Sequence, residues 1–311
     1  MSWRGSAEPE KWIARFMREC RLCPRNCGVN RLEGQKGYCR TDARLMVARA
    51  ALHMWEEPCI SGREGSGTVF FSGCSLGCVF CQNREISGGK RGKIITVEQL
   101  AQVFLRLQAQ NANNINLVTA GHYVPQTAAA LKLAKEKGLS IPVVYNSSGY
   151  EKSQTLKLLE GLVDIYLPDF KYMDSDLARR YSNAEDYAQT AKTALEEMVR
   201  QAGLPEFDGR GIMKRGVIVR HLLLPGHVSD SKKVTEYLFR TYGNQIYISL
   251  MNQYTPMPVM ANDPLLSRKV TEREYGRLVD YALSLGLENG FVQEGETAKE
   301  SFIPPFNGEG V

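Results

Sequence analysis

Cys74, Cys78 and Cys81 are the residues best spaced for chemistry. They lie in the run Phe71-Ser72-Gly73-Cys74-Ser75-Leu76-Gly77-Cys78-Val79-Phe80-Cys81-Gln82-Asn83. The spacing C-x3-C-x2-C puts three thiols in one loop. Thiolates hold iron–sulfur clusters, and a cubane has four iron corners. Three thiolates cap three corners and leave the fourth open to a ligand from outside. Gly73 and Gly77 let the loop wrap such a cluster closely. The competing reading is a zinc knuckle, but structural zinc takes four ligands and this loop offers three.

A second set precedes it: Cys20-x2-Cys23-x3-Cys27-x11-Cys39. All eight cysteines fall in the first 81 residues, which thiols buried at random would not do. In a reducing compartment, clustered cysteines more often ligate metal than form disulfides. Pro24, Gly28, Gly34 and Gly37 supply turns. By spacing alone the four thiols suit Zn²⁺ and a second iron–sulfur centre equally. Cys59, in Glu56-Glu57-Pro58-Cys59, is left over: a buried thiol, a substitute ligand or a reactive residue.

The elements that must position these loops follow from periodicity. Thr68–Phe71 reads as a buried strand ending at the cysteine loop. Val97–Gln110 reads as a helix, Asn116–Thr119 as a strand, Pro125–Lys137 as a helix and Ile141–Tyr145 as a strand. The pattern continues with a helix over Glu151–Glu160, a strand over Val163–Leu167 and a helix over Tyr187–Ala202. A strand over Gly216–Leu224, a helix over Ser231–Tyr242, a strand over Gln245–Met251 and a helix over Thr271–Leu285 complete it. Strict alternation predicts parallel strands with crossover helices. The fold class is therefore α/β: a partial (βα)6 TIM-type barrel with a small N-terminal metal-binding extension. Residues 1–60 form the cysteine-rich extension and 61–311 the barrel with C-terminal elements. Chemistry in such folds sits beyond the C-terminal strand ends. Asp169 and Lys171 follow the fourth strand and share a face by the period of two.

Composition sets bounds. Hydrophobic residues at 43 % and charged residues at 23 % are ordinary for a globular protein. No apolar run approaches the roughly 18 residues of a membrane span, and the N-terminus has no secretory core. The expected location is the cytoplasm. The net charge of +5 comes from scattered residues, which argues against a nucleic-acid surface.

The CxxxCxφC motif, with Phe80 as its aromatic residue, resembles the signature of the radical S-adenosylmethionine (SAM) superfamily. With Gln82-Asn83-Arg84 after it, the chain looks most like the pyruvate formate-lyase activating-enzyme branch. Within that branch it resembles an activase-like group with an N-terminal CxxCPxxCxxN segment, here Cys20 to Asn30. The likeness covers about residues 18–260. It implies a [4Fe-4S] cluster on Cys74, Cys78 and Cys81, whose open iron chelates SAM through its amino and carboxylate groups. One-electron reduction would then split the S–C5′ bond, and the resulting 5′-deoxyadenosyl radical would abstract hydrogen from a substrate. It also implies an electron donor such as flavodoxin or ferredoxin, and a protein substrate. Radical modification of a small molecule is the alternative reaction. A zinc-stapled module that docks nucleic acid or protein is the alternative of another class.

The same resemblance assigns SAM contacts to Phe80, Gly121, Asn146, Ser148, Asp169, Lys171 and Arg220. Relatives carry a GGE-type turn after the second strand. Here it reads Thr119-Ala120-Gly121-His122, with His122 where the acid would stand. Asn146 and Ser148 suit ribose hydroxyls or a carboxylate, or cap the next helix. Asp169 and Lys171 match the activase-type DLK segment and suit a zwitterionic ligand, or form a structural ion pair. The Arg220 guanidinium would fork onto the SAM carboxylate. Gln253 and Tyr254 are placed to face substrate.

Overall fold

The computed structural model describes residues 9–293 and 303–311. Helix α1 (Pro9–Met17) leads into a cysteine-rich coil. Strand β1 (Leu45–His53) and the single turn α2 (Pro58–Ser61) precede β2 (Ser66–Phe71). After the cysteine loop come α3 (Arg84–Ser87), β3 (Lys93–Ile95), α4 (Val97–Ala109), β4 (Ile115–Val118), α5 (Val124–Glu136), β5 (Val143–Ser147) and α6 (Ser153–Leu156). The chain continues through β6 (Ile165–Pro168), α7 (Ser175–Ser182), α8 (Tyr187–Ala202), β7 (Glu206–Phe207), β8 (Met213–Leu222) and α9 (Val228–Tyr242). It closes with β9 (Tyr247–Met251), α10 (Glu272–Ser284) and β10 (Gly290–Val292).

Local signals explain the helices. Thr96 with Gln99 and Thr271 with Glu274 form reciprocal capping boxes that start α4 and α10. In α8 the buried Tyr187, Ala191, Ala194, Leu195, Met198 and Ala202 recur at helical spacing. The helix read over Glu151–Glu160 is shorter: one α turn, then a 3₁₀ turn at Lys157–Leu159.

The strand order is β10-β9-β8-β6-β5-β4-β2-β1-β3. From β2 to β10 every neighbouring pair is parallel. Among the parallel strands the order never reverses, as a doubly wound sheet would; from β2 to β10 the chain winds one way, as in a barrel. All six expected strands are present, and the short β10 adds a seventh parallel member.

β1 pairs antiparallel with β2. It lies inside the stretch read as the extension, so the sheet begins before residue 60. Its sequence, LMVARAALH, is alanine-rich and poor in β-branched residues. Pairing with β2, rather than propensity, makes it a strand.

Alternation divides the strands into two faces. The outward Tyr145, Tyr166, Val217 and Val219 pack in the main core. The inward Val144, Ile165, Leu167 and Ile218 enclose Cys59 and Ile60 of α2, which fill the lower interior. Two residues further along each of these strands, the same inner face turns polar at Asn146, Asp169 and Arg220. Among the described residues no helix is long and apolar enough to cross a membrane.

Candidate active site

Beyond the C-terminal strand ends lies a cavity of about 440 Å³. Phe70, Val118, Asn146, Asp169, Arg220, Met251 and Phe291 reach it from or just beyond the ends of all seven parallel strands, so the sheet curls around it. Cys74, Cys78, Cys81 and Phe80 line the same cavity, as do Ser148 and Lys171. Residues as far apart in the chain as Phe70 and Phe291 thus share one wall.

The cysteine loop leaves β2 and rests on α7. Ser182 Oγ donates to Cys78 Sγ at 3.1 Å, and the Val79 amide donates to the Tyr181 carbonyl at 2.9 Å. Phe80 is buried edge-on against Tyr181 and Tyr254. Burial, and then the charges of Cys74 and Cys78, push the Cys81 thiol up to about 12. Burial also raises Cys74 and Cys78, opposed by the cation of Lys171. The three thiols and this one ammonium therefore share a field. The thiols can hold a cluster only as thiolates, so loading releases protons.

Lys171 Nζ bonds Asp169 Oδ2 at 2.7 Å. Burial would lower the Lys171 ammonium, but the Asp169 carboxylate and Cys78 outweigh it and leave it raised. The pair presents both charges to the cavity, as its strand register requires. Gly149 has φ +74°, and a Cβ there would stand 2.2 Å from the Asp169 carbonyl oxygen. A Gly149→Ala chain must shift the Asp169 backbone. It is expected to lose about 1–3 kcal/mol in a urea melt; an unchanged melt would show that the turn gives way without cost.

Two expected contacts need correction. Gly121 does not line the cavity; a Cβ on it would meet the Glu151 carboxylate oxygens at 2.7 Å. Thr119, with φ +61°, takes the strand-end place instead. His122 is fully buried behind the loop, where its Nε2 bonds the Ser72 carbonyl at 2.7 Å. Burial, with the nearby Arg31 charge, lowers it to about 3, so it is a neutral packing residue. Arg220 does line the cavity, yet it is tied to Glu57 and Glu56. Its Nε and Nη2 bond Glu57 at 2.8 and 2.5 Å, and Nη2 also bonds Glu56. Gln253 lines the cavity, whereas Tyr254 is buried with its hydroxyl on the Leu266 carbonyl.

Other wall residues were not foreseen. Ile303 and Pro304 border the cavity. Phe306 is buried with Phe70, Val118, Ile86 and Ala48. Backbone bonds from Gly308 to Ala48 and from Ala50 to Glu309 fix this tail on β1. No periodic signal marks it; Phe306 stands in a short Pro- and Gly-rich end with no helix or strand pattern.

The N-terminal thiols sit elsewhere. Cys20, Cys23 and Cys39 are buried and Cys27 is exposed. Burial raises Cys23 to about 12, with Cys39, Glu151 and Cys20 adding to the rise. Cys27 Sγ accepts the Tyr38 amide at 3.3 Å. Among the described residues no three His, Cys, Asp or Glu side chains stand close enough to share one metal ion. This holds equally for Cys74, Cys78 and Cys81, so it separates neither set from a multi-iron cluster. Cys59 is a buried thiol beneath the cavity, raised to about 12 by burial and by Glu57.

The radical SAM superfamily profile matches residues 68–236. A Methanocaldococcus jannaschii protein of uncharacterised function is 28 % identical over 281 residues, covering 88 % of this chain and 77 % of that one. The pyruvate formate-lyase-activating enzyme of Clostridium pasteurianum is 31 % identical over 113 residues, covering 35 % of this chain and 46 % of that one. Among solved structures, methylornithine synthase is similar at 11 % identity and a TM-score of 0.49, covering 68 % of this chain and 59 % of that one. Streptococcus suis SuiB bound to its precursor peptide SuiA is similar at 12 % and 0.48, covering 71 % and 46 %. The chain thus spans about half the length of the solved structures it matches.

Proposed function

The chain belongs to the radical SAM superfamily, and from that premise we propose that its cavity binds SAM beside a [4Fe-4S] cluster on Cys74, Cys78 and Cys81, for hydrogen abstraction from a protein or peptide. One observation carries this reading: the three thiols, the Asp169–Lys171 pair and Arg220 all line a single cavity at the strand ends. Family membership implies the cluster and SAM, and sets aside the zinc-stapled binding module. When bound, the cluster supplies the electron that splits SAM into methionine and a carbon radical. The chain's own residues do the rest. Asp169 and Lys171 offer opposite charges to the zwitterionic methionyl end. Asn146 and Ser148 offer polar groups to ribose. Phe80, Leu222 and Met251 exclude water from the cavity.

The protein-substrate reading is supported by the partial likeness to the Clostridium activating enzyme. Modification of a small molecule is the second reading, supported by the tail residues Ile303 and Pro304 that wall the cavity. An electron donor of the flavodoxin or ferredoxin kind and a reducing, cytoplasmic setting belong to the same proposal, and eight free thiols fit them. Cys20, Cys23, Cys27 and Cys39 are proposed as a second metal centre, zinc or iron–sulfur.

Anaerobic reconstitution tests these points together. The expected product is a brown protein absorbing near about 400 nm that bleaches with dithionite and releases 5′-deoxyadenosine from SAM. Metal analysis of a Cys20→Ser, Cys23→Ser chain should show the loss of one zinc or one cluster's iron. A chain that holds only zinc at the Cys74–Cys81 loop sinks the main reading.

A further inference from the structure

We propose that Arg25 is a positioning residue for the loop that carries Cys74, Cys78 and Cys81; the inference rests on the cluster reading above. Arg25 lies between Cys23 and Cys27, far in sequence from the cavity. Its guanidinium nevertheless binds four backbone carbonyls. Nε donates to Ser75 at 2.9 Å and Nη2 to Leu76 at 3.1 Å, both between Cys74 and Cys78. Nη2 also donates to Ser182 at 3.0 Å, and Nη1 donates to Asn183. Those two carbonyls are at the C-terminal end of α7, where a helix leaves carbonyls unpaired and favours a cation.

The two segments so joined are the ones that enclose Cys78. Ser182 is the residue whose hydroxyl bonds Cys78 Sγ, and that hydroxyl is itself held 2.9 Å from Tyr172 Oη. The guanidinium is flanked by Tyr38 at 3.8 Å and Tyr150 at 5.1 Å from the ring centroids. The same N-terminal coil supports the loop at Gly73, where a Cβ would stand 2.7 Å from the Cys39 carbonyl. A planar fork aims its donors in fixed directions at acceptors on both segments, whereas an ammonium offers three donors from a single point and fits four spread carbonyls less well. The N-terminal cysteine coil is thus a clamp on the cluster loop, and Arg25 is its contact.

The test uses the full chain, reconstituted anaerobically, as wild type, Arg25→Gln and Arg25→Lys. Iron loss to a ferrous chelator is timed, the dithionite-reduced EPR spectrum is recorded, and melting is followed by circular dichroism. In both variants iron loss should quicken by about tenfold, the usual scale for supports of a metal ligand. The EPR signal should change while the melting transition stays cooperative and within a few degrees. Iron loss and EPR matching wild type in either folded variant overturn the role of Arg25. Should both variants fail to fold, Tyr150→Leu, which removes a ring flanking the guanidinium and whose hydroxyl bonds Asp186 outside the cluster loop, decides by the same two measures. A wild-type chain that takes up no iron at all overturns the cluster reading itself, which is a different result from a tight cluster indifferent to Arg25.

Discussion

A Cys78→Ala chain, reconstituted beside wild type, should form no 5′-deoxyadenosine above background. The expected fall is at least about 10³-fold, or roughly 4 kcal/mol of lost barrier lowering. The reasoning is local. Cys78 is the middle thiol of the loop, part-exposed at the cavity wall and bonded by Ser182 Oγ. Alanine removes the sulfur and leaves the backbone bonds of the loop in place, so the fold should survive. A cubane missing one protein thiolate has two open corners and is easily lost. Ser182→Ala is the control: it removes the hydroxyl and keeps the sulfur, and should cost about 10- to 100-fold, well short of the loss in Cys78→Ala. A Cys78→Ala chain that lacks iron yet still cleaves SAM would remove this loop from the chemistry.

How far the sequence revealed these features depended on whether the signal was local. The alternation Ile165, Leu167, Asp169, Lys171 is readable along a few residues. It puts Asp169 and Lys171 on one face after the fourth strand, and the two charges stand 2.7 Å apart. The cysteine spacing is equally local. Arg220 could be picked as a cavity residue, but its partners Glu56 and Glu57 lie more than 160 positions away on a coil that periodicity cannot orient. Arg25 bonds carbonyls about 50 and 157 positions downstream, and backbone acceptors carry no side-chain identity at all. Gly121 was assigned by its match to the GGE-type turn, which fixes a place in the chain but not what the glycine faces; here it is the Glu151 carboxylate. α7 was missed although Asp174 caps it by accepting from Asp176 and Leu177, since its length of eight residues leaves little periodicity to see.

Breaking the Arg220 triad should have the largest effect on stability. Arg220, Glu56 and Glu57 have side chains only 14 %, 7 % and 6 % exposed. Asn116 Nδ2 completes the set on Glu56 Oε1 at 2.8 Å. Burial alone would raise the Glu57 carboxyl; the charge and fork of Arg220 overcome it and hold it below the usual range. A carboxyl lowered by folding adds stability above its unfolded pKa and loses it as the pH falls through the lowered folded value. Arg220→Met leaves two buried carboxylates without a cation, at a cost of roughly 3–5 kcal/mol near neutral pH. The sign of the pH effect then inverts, because unpaired burial favours the protonated acids. The variant should be weaker at about pH 7.5 than at about pH 5, as urea melts would show. Replacing all three, with Glu56→Gln and Glu57→Leu added, should recover most of the loss, since an intact buried ion set seldom outperforms apolar packing. That chain also separates structure from ligand. The two carboxylates occupy Nε and Nη2 of Arg220, and Nη1 binds neither. Glu56 and Glu57 line the cavity beside Arg220, so the reference is the Glu56→Gln, Glu57→Leu chain; a triple variant that binds SAM about tenfold or more weaker than that reference would assign the remaining edge of Arg220 to SAM, at the scale of one charge-assisted bond. Undiminished affinity would leave Arg220 with the two glutamates alone.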